Sequence, residues 1–193
     1  MLKIIKDWLI PLFIGVIIAL LIETFFGIAD VDGHSMDPTL HNAQKLLISK
    51  KDKIKRFDVI IFNAKNVDPS DTKNLDYIKR VIGMPGDNLT YKPDGTLMIN
   101  GKKVQQSFIS KSVQTTDTLT MINHTYPNGF TLKQLSDTQH WTRPMTTNVI
   151  PKGYYFVMGD NRKVSNDGRY WGLVPKNKIM GVTHRTLTLQ KIK

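Results

Sequence analysis

LDYIKRVIGMPGD, residues 75–87, reads as a β-strand cut off by a turn. Leu75 to Ile82 alternates in part and carries aromatic and β-branched side chains, and Gly83-Met84-Pro85-Gly86-Asp87 is dense turn chemistry. Side chains alternate faces along a strand, so Tyr77, Lys79 and Val81 share one face and Ile78, Arg80 and Ile82 the other. Each face then holds one cation among apolar groups, so one face lies against protein or the strand is an edge. The same short rhythm runs on both sides. Lys45–Ser49, Asp58–Phe62 and Tyr154–Met158 are compact strand-like runs, and Ile179–Leu189 closes the chain as one or two strands. Asn88–Tyr91 and Thr96–Asn100 flank Pro93-Asp94-Gly95, a hairpin signal, and Asn100-Gly101 is a second. Strands this frequent, without long helical patterns among them, indicate a mainly β domain. Residues 102–150 are polar, rich in Thr, Ser, Asn and Gln, and read as an inserted cap with one short helix near Leu132–Asp137.

Ahead of the strands lies one long apolar stretch, Trp8 to Ile28, interrupted only by Glu23 and Thr24. As a helix its 21 residues reach about 31 Å, the thickness of a hydrocarbon core. Trp8 and the Phe25–Phe26 pair suit the two interfaces, and Pro11 sits near the start, where a helix tolerates proline. The chain therefore divides into a cytoplasmic N-terminus 1–7, a transmembrane anchor 8–28 and an extracytoplasmic domain 29–193 at the cell membrane. Flanking charge sets this orientation. The amino group, Lys3 and Lys6 precede the stretch, whereas Glu23, Asp30, Asp32 and Asp37 come before any lysine on the far side. The rival is a cleaved signal peptide, with residues 1–7 as its basic region and Gly27-Ile28-Ala29 supplying the small residues of a cleavage site.

The chain carries 27 Lys and Arg against 16 Asp and Glu, a net charge of +11. Lys45, Lys50, Lys51, Lys53, Lys55 and Arg56 concentrate part of it just after the apolar stretch; the run fits a solvated loop or turn first, a surface facing anionic lipid headgroups next, and nucleic acid least, since no binding motif is present. The lack of cysteine excludes a disulfide, a thiolate nucleophile and a cysteine metal site. No calcium-loop or histidine spacing fits a metal site either, and no cofactor is expected.

The chemistry centres on VDGHSMDPTL, Val31–Leu40. Pro38 keeps a helix from running through it, so Ser35 lies on a turn, and Gly33 allows positive φ or a close backbone approach. None of the five histidines sits in a motif that marks a triad, and His34, adjacent in sequence, points away from Ser35 in an extended segment. Lys79 is the alternative base. Burial on an apolar sheet face would lower its pKa, and bringing it from the usual value to near 8 takes about 3 kcal/mol of differential desolvation. A neutral amine could then take the proton of Ser35. Taken singly, Ser35 also fits a plain turn serine and Lys79 a lysine whose stem packs while its head reaches water. Asp160, Arg162, Asp167 and Arg169, in GDNRKVSNDGR, suit a turn held by an Asp–Arg pair, with Ser165 able to bond the lysine amine.

In order and spacing, VDGHSMDPTL (31–40), DVIIF (58–62), YIKRVIGMPGD (77–87) and GDNRKVSNDGRYWG (159–172) resemble bacterial type I signal peptidases, the membrane-anchored serine proteases that remove signal peptides from exported proteins. The resemblance implies a mainly β protein, with an N-terminal transmembrane helix and an antiparallel β-sheet catalytic domain bearing a small cap. It implies Ser35 as nucleophile and Lys79 as general base, Ser165 orienting the lysine amine, and Asp160, Asp167 and Arg169 supporting the site through salt bridges. Substrates would be signal peptides of secreted preproteins with an Ala-X-Ala preference, met beside the secretion translocon. Some members have a serine hydroxyl two positions before the nucleophile. Gly33 stands there in this chain, as in the single-anchor Gram-positive type, which leaves the oxyanion mainly to backbone amides such as that of Ser35. Met36 is expected to be exposed beside the site, against lipid. Two other readings remain at this stage: a Ser/Lys self-cleaving repressor-type domain, which would need an N-terminal DNA-binding module, and a membrane-anchored basic module binding surface polyanions.

Overall fold

A computed structural model describes residues 5–187 and Ile192. The strands are β1 (Phe26–Asp30), β2 (Lys45–Ser49), β3 (Val59–Asn63), β4 (Asp76–Gly83), β5 (Leu89–Tyr91), β6 (Leu97–Ile99), β7 (Lys102–Val104), β8 (Thr120–Met121), β9 (His124–Thr125), β10 (Phe130–Thr131), β11 (Tyr154–Met158), β12 (Leu173–Pro175) and β13 (Ile179–Thr186). Among the described residues three α-helices accompany them: α1 (Ile10–Phe25), which continues a π-helical turn at Ile5–Leu9, α2 (Leu132–Gln139) and the single turn α3 (Gly168–Trp171), with short helical turns at Val113–Asp117 and Lys176–Lys178. Seven strands form one antiparallel sheet in the order β1-β2-β13-β3-β4-β11-β12. The closing strand β13 returns between β2 and β3, and β4, with Lys79 and Arg80, is interior to the sheet, paired with β3 on one side and β11 on the other. Both its faces are covered. Ile60, Phe62, Val81, Val157 and Trp171 pack on one side, and Ile82, Phe156 and Met158 join Leu89, Tyr91, Phe130, Leu132 and Trp141 on the other.

The second side is covered by the insertion. Strands β10-β5-β6-β7 form its own four-stranded sheet, so the hairpins from Asn88 onward belong to it as well as the polar stretch from 102. Its neck is closed by Gly86 N to Ile150 O (2.8 Å) and Ile150 N to Asp87 O (2.9 Å). The expected short helix is α2. Thr131 caps it, its Oγ1 accepting from Gln134 N while Gln134 Oε1 accepts from Thr131 N. Thr131→Ala is expected to lower stability by about 1 kcal/mol, read from denaturant unfolding.

At the other end, Lys6–Phe25 is a 20-residue apolar helix with none of its length buried, long enough by size and composition to cross a membrane. It stops at Phe25, three residues short of the expected limit, because Phe26 turns extended (φ −124°, ψ 161°) and enters β1. Hydropathy cannot mark this boundary, since Phe26 and Ile28 are as apolar as the helix. The β2 ladder marks it, pairing Phe26 with Ser49, Ile28 with Leu47 and Asp30 with Lys45. Lys50 Nζ donates to Glu23 O (2.8 Å) in the last helical turn and pins the junction. Gly27-Ile28-Ala29 therefore sits inside a paired strand, and a cut after Ala29 would strip most of β1 from the sheet.

Candidate active site

The loop after β1 is held by backbone contacts on both flanks. Val31 N donates to Gln44 O and Ala43 N to Val31 O, both at 2.8 Å, and Gly33 N donates to Asn42 Oδ1 (2.9 Å). Gly33 has φ +87°, which favours glycine, although a Cβ there would meet nothing within 4 Å. The chain then turns tightly, with Thr39 N and Leu40 N both donating to Met36 O. Met36 is the plug of this turn. It is 1% exposed, packed with Val31, Leu40, Leu46 and Val59, so the expectation of an exposed, lipid-facing Met36 is wrong. In a turn the period-two alternation of a strand no longer applies, and its largest apolar side chain folds inward. Asp37 accepts from the Nδ1 atoms of His34 (2.9 Å) and His41 (2.8 Å). Burial alone would raise its pKa, but those two hydrogen bonds and the charges behind them outweigh it and hold the carboxyl below its usual range. Ser35 is left half-buried at the head of the turn.

Lys79 meets it from β4. The register places Lys79 opposite Ile60 and Arg80 opposite Val59 in β3, which fixes the direction of both side chains. Lys79 is 5% exposed, and its Nζ lies 3.0 Å from Ser35 Oγ and 3.1 Å from Ile78 O. The Tyr77 ring lies 5.2 Å away on the same face. Burial pulls the pKa of the amine from 10.5 down to about 8, against the opposing charges of Asp167 and Asp68. At neutral pH about a tenth of the molecules then carry the free amine, against fewer than one in a thousand for an ordinary lysine. Among the described residues no histidine hydrogen-bonds Ser35 Oγ; His34 and His41 are engaged by Asp37, and His184 lies by Asp52 and Asp58.

The opposite face of β4 carries the interaction that sequence reasoning missed. Arg80 is 2% exposed and grips Asp160, Nε to Oδ1 at 2.8 Å and Nη2 to Oδ2 at 2.5 Å, with Nη1 donating to Phe57 O (2.8 Å) and the guanidinium 4.2 Å from the Phe108 ring centroid. The alternation marked Arg80 as a cation on an apolar face, but nothing local named Asp160 as its partner. Asp167 and Arg169 form a separate, fully buried pair, Nε to Oδ1 at 2.9 Å. Burial alone would raise the Asp167 pKa; the Arg169 charge, with hydrogen bonds from Arg169 and the Gly159 amide, overcomes it and lowers it. Asp167 also caps α3, accepting from Arg169 N. Arg162, equally buried, donates to Gly159 O (2.9 Å), Thr118 Oγ1 (2.8 Å) and Gln106 Oε1 (3.0 Å), binding loop 159–167 to the insertion.

That loop holds the Ser35 segment. Asn161 N donates to Ser35 O and Asn161 Nδ2 to His34 O, both at 3.1 Å. A trans peptide points its carbonyl and amide in opposite directions, so fixing His34 O also fixes the Ser35 N–H. Gly159 lets the two segments touch, because a Cβ there would overlap Ser35 O and the Ser165 hydroxyl. Gly159→Ala is therefore expected to push Ser35 out of line with Lys79 and lower kcat about a hundredfold in a peptide-cleavage assay. Ser165 is 2% exposed, and among the described residues its hydroxyl has no hydrogen-bond partner. The expected bond from Ser165 to the amine is not made in this arrangement, where Nζ is directed at Ser35 Oγ and Ile78 O.

A model of the family "Signal peptidase, peptidase S26" matches residues 5–187. The chain belongs to the S26 signal peptidases. It is 34% identical over 185 residues to signal peptidase IB of Staphylococcus aureus (strain COL), covering 93% of this chain and 87% of that one. It is 36% identical over 183 residues to signal peptidase I of Bacillus licheniformis, covering 92% and 85%. The crystal structure of a signal peptidase I from Enterococcus faecalis V583 aligns with a TM-score of 0.50 at 34% identity, over 68% of this chain and 97% of that one. The chain is accordingly a serine peptidase with signal peptidase I activity, built as an N-terminal apolar helix followed by antiparallel sheets.

Proposed function

We propose that Ser35 is the nucleophile and Lys79 the general base of this signal peptidase. The 3.0 Å contact between Ser35 Oγ and a buried amine with a pKa of about 8 carries the assignment. Neutral Lys79 takes the hydroxyl proton as Ser35 Oγ bonds to the scissile carbonyl carbon. The Ser35 amide, oriented through Asn161, faces the developing oxyanion, with no hydroxyl available from Gly33. As the C–N bond breaks, Lys79 returns the proton to the leaving amine. It then takes a proton from water, whose oxygen bonds to the ester carbonyl carbon, and hands that proton to Ser35 Oγ as the Oγ–acyl bond breaks, which frees the signal peptide carboxylate and restores the hydroxyl. Ser165, whose buried hydroxyl has no hydrogen-bond partner among the described residues, orients the amine. Asp160, Asp167 and Arg169 keep the loop rigid around both partners.

The substrate lies in the groove lined by residues 30–36, 76–79, Val164 and Asn166, as an extended chain with small side chains before the cut, the Ala-X-Ala pattern. The apolar helix anchors the protein, with Lys3 and Lys6 on the cytoplasmic side and the sheets outside, beside the secretion translocon. Lys50, Lys51 and Lys53, all exposed near the helix end, meet anionic headgroups.

A serine-directed penem tests the dyad. Acylation should label the wild type and fail in both Ser35→Ala and Lys79→Ala; labelling that survives either change refutes the assignment. The pH profile supplies a second test. The active amine is the neutral form, so kcat/KM for a signal-peptide substrate should rise through about pH 8 and level off above it. A profile that breaks near 6.5 and disappears on mutation of one histidine would assign the base elsewhere.

A further inference from the structure

Residues 64–75 lie between the four motif blocks that carried the resemblance, yet one of them bonds two residues that line the groove. Asp68 is 3% exposed. Its Oδ2 accepts from Tyr77 Oη (2.9 Å) and Asn166 Nδ2 (2.6 Å), and its Oδ1 from Ser70 N (2.8 Å) and Ser70 Oγ (2.7 Å). These donors are all neutral, and two of them, Tyr77 and Asn166, line the groove. The groove has three borders: the nucleophile segment, the start of β4, and the loop bearing Val164 and Asn166. Asn161 fastens that loop to the nucleophile segment. Asp68 fastens it to β4, one turn of the strand pleat from Lys79.

We propose that Asp68 is a positioning residue of this active site, holding the β4 and loop borders of the groove at one spacing by bonding Tyr77 and Asn166 together. The proposal rests on Ser35 and Lys79 being the dyad. Its effect is twofold. The Tyr77–Asn166 spacing sets how the extended substrate seats over Ser35, so loss of the carboxylate acts on KM. Its charge also acts on Lys79. Two acids oppose the desolvation of that amine, Asp167 and Asp68; the first is bonded to Arg169, the second to no cation among the bonds above. The remaining acids of the groove, Asp30, Asp32 and Asp76, are exposed, with Asp30 paired to Lys45 and Asp76 bonded by Asn63. Arg80 faces the other way, onto Asp160.

The experiment uses the full chain in detergent micelles with a synthetic signal-peptide substrate. Asp68→Ala is expected to raise KM about tenfold with a smaller change in kcat, since it frees two groove side chains and alters the dyad only through the lost charge. Tyr77→Phe, which cuts one tie and keeps the charge, should raise KM several-fold and leave the pH profile in place. Asp68→Asn keeps an acceptor oxygen and loses the charge, so KM should stay near wild type while the rising limb of kcat/KM moves to lower pH by roughly half a unit. Wild-type KM in both Asp68→Ala and Tyr77→Phe, or an unmoved limb in Asp68→Asn, overturns the proposal. Should Asp68→Ala fail to fold, Tyr77→Phe and Asp68→Asn decide by the same criteria. Ser35→Ala is assayed alongside: activity that survives there refutes the dyad itself, whatever the Asp68 variants do.

Discussion

Lys79→Met is expected to abolish cleavage and, in the same molecule, to make the protein harder to unfold. The activity loss should be at least about 10⁴-fold in kcat, the scale set by removing one member of a catalytic unit. The stability gain follows from the amine's environment. Its folded pKa of about 8 lies below the ordinary 10.5, so between those values the unfolded chain holds the extra proton. Below about pH 8 the folded protein buries a charge at a cost of about 3 kcal/mol, the equivalent of that shift. Stability of the wild type therefore rises with pH from about 8 to 10.5, and the advantage of Lys79→Met is largest below pH 8 and fades above 10.5. Methionine nearly matches the lysine stem in volume and needs no solvation. Urea unfolding of both proteins at pH 7 and pH 10 measures the difference. Equal stability at pH 7 would mean that the amine is solvated and that its pKa is not depressed.

The second large effect is of the opposite sign. Asp160→Ala should destabilise the protein by about 3–5 kcal/mol, because it leaves the Arg80 guanidinium buried without its carboxylate. For a chain of this size that is a fall in Tm of roughly 10 °C. Activity should fall further than stability explains, since Asn161, next in the chain, holds His34 O and Ser35 O. The double variant Arg80→Met/Asp160→Leu separates the two contributions. Apolar replacement of a buried pair is often close to neutral, so most of the stability should return. The lost activity should not, because the bidentate grip that aims the loop is absent. Thermal melts with steady-state kinetics on the two variants and the wild type check this; recovery of activity along with stability would assign the pair a purely structural role.

Much of this site could be read before any fold was known, for a physical reason that also marks where the reading failed. Alternation in a strand is a rigid rule, so Tyr77-Ile78-Lys79-Arg80 already put two cations on opposite faces among apolar groups; it required only one face to lie against protein, and the structure buries both. Turn chemistry placed the hairpins around Pro93-Asp94-Gly95 and Asn100-Gly101, which β5, β6 and β7 realise. Met36 was misjudged because it lies where the backbone leaves the strand and the alternation lapses. The helix end was misplaced because apolar content alone does not separate a spanning helix from a strand that continues it. Pairings across the chain were not legible at all. Arg80 and Asp160 are 80 positions apart, and Asp68 meets Asn166 across 98, so neither partnership leaves a local trace.

The junction at Phe25–Phe26 has one more consequence. No linker separates the helix from the sheet; one residue ends the first and the next begins the second. Ser35 follows ten residues later, half of them committed to β1, so the tether cannot exceed about 35 Å even at full stretch and cannot swing as a free chain would. A protein anchored as proposed thus carries its own measuring rod. The height at which it cuts is built into the strand, and a substrate is selected by how far its scissile bond stands from the point where it leaves the lipid, before any side chain has been inspected.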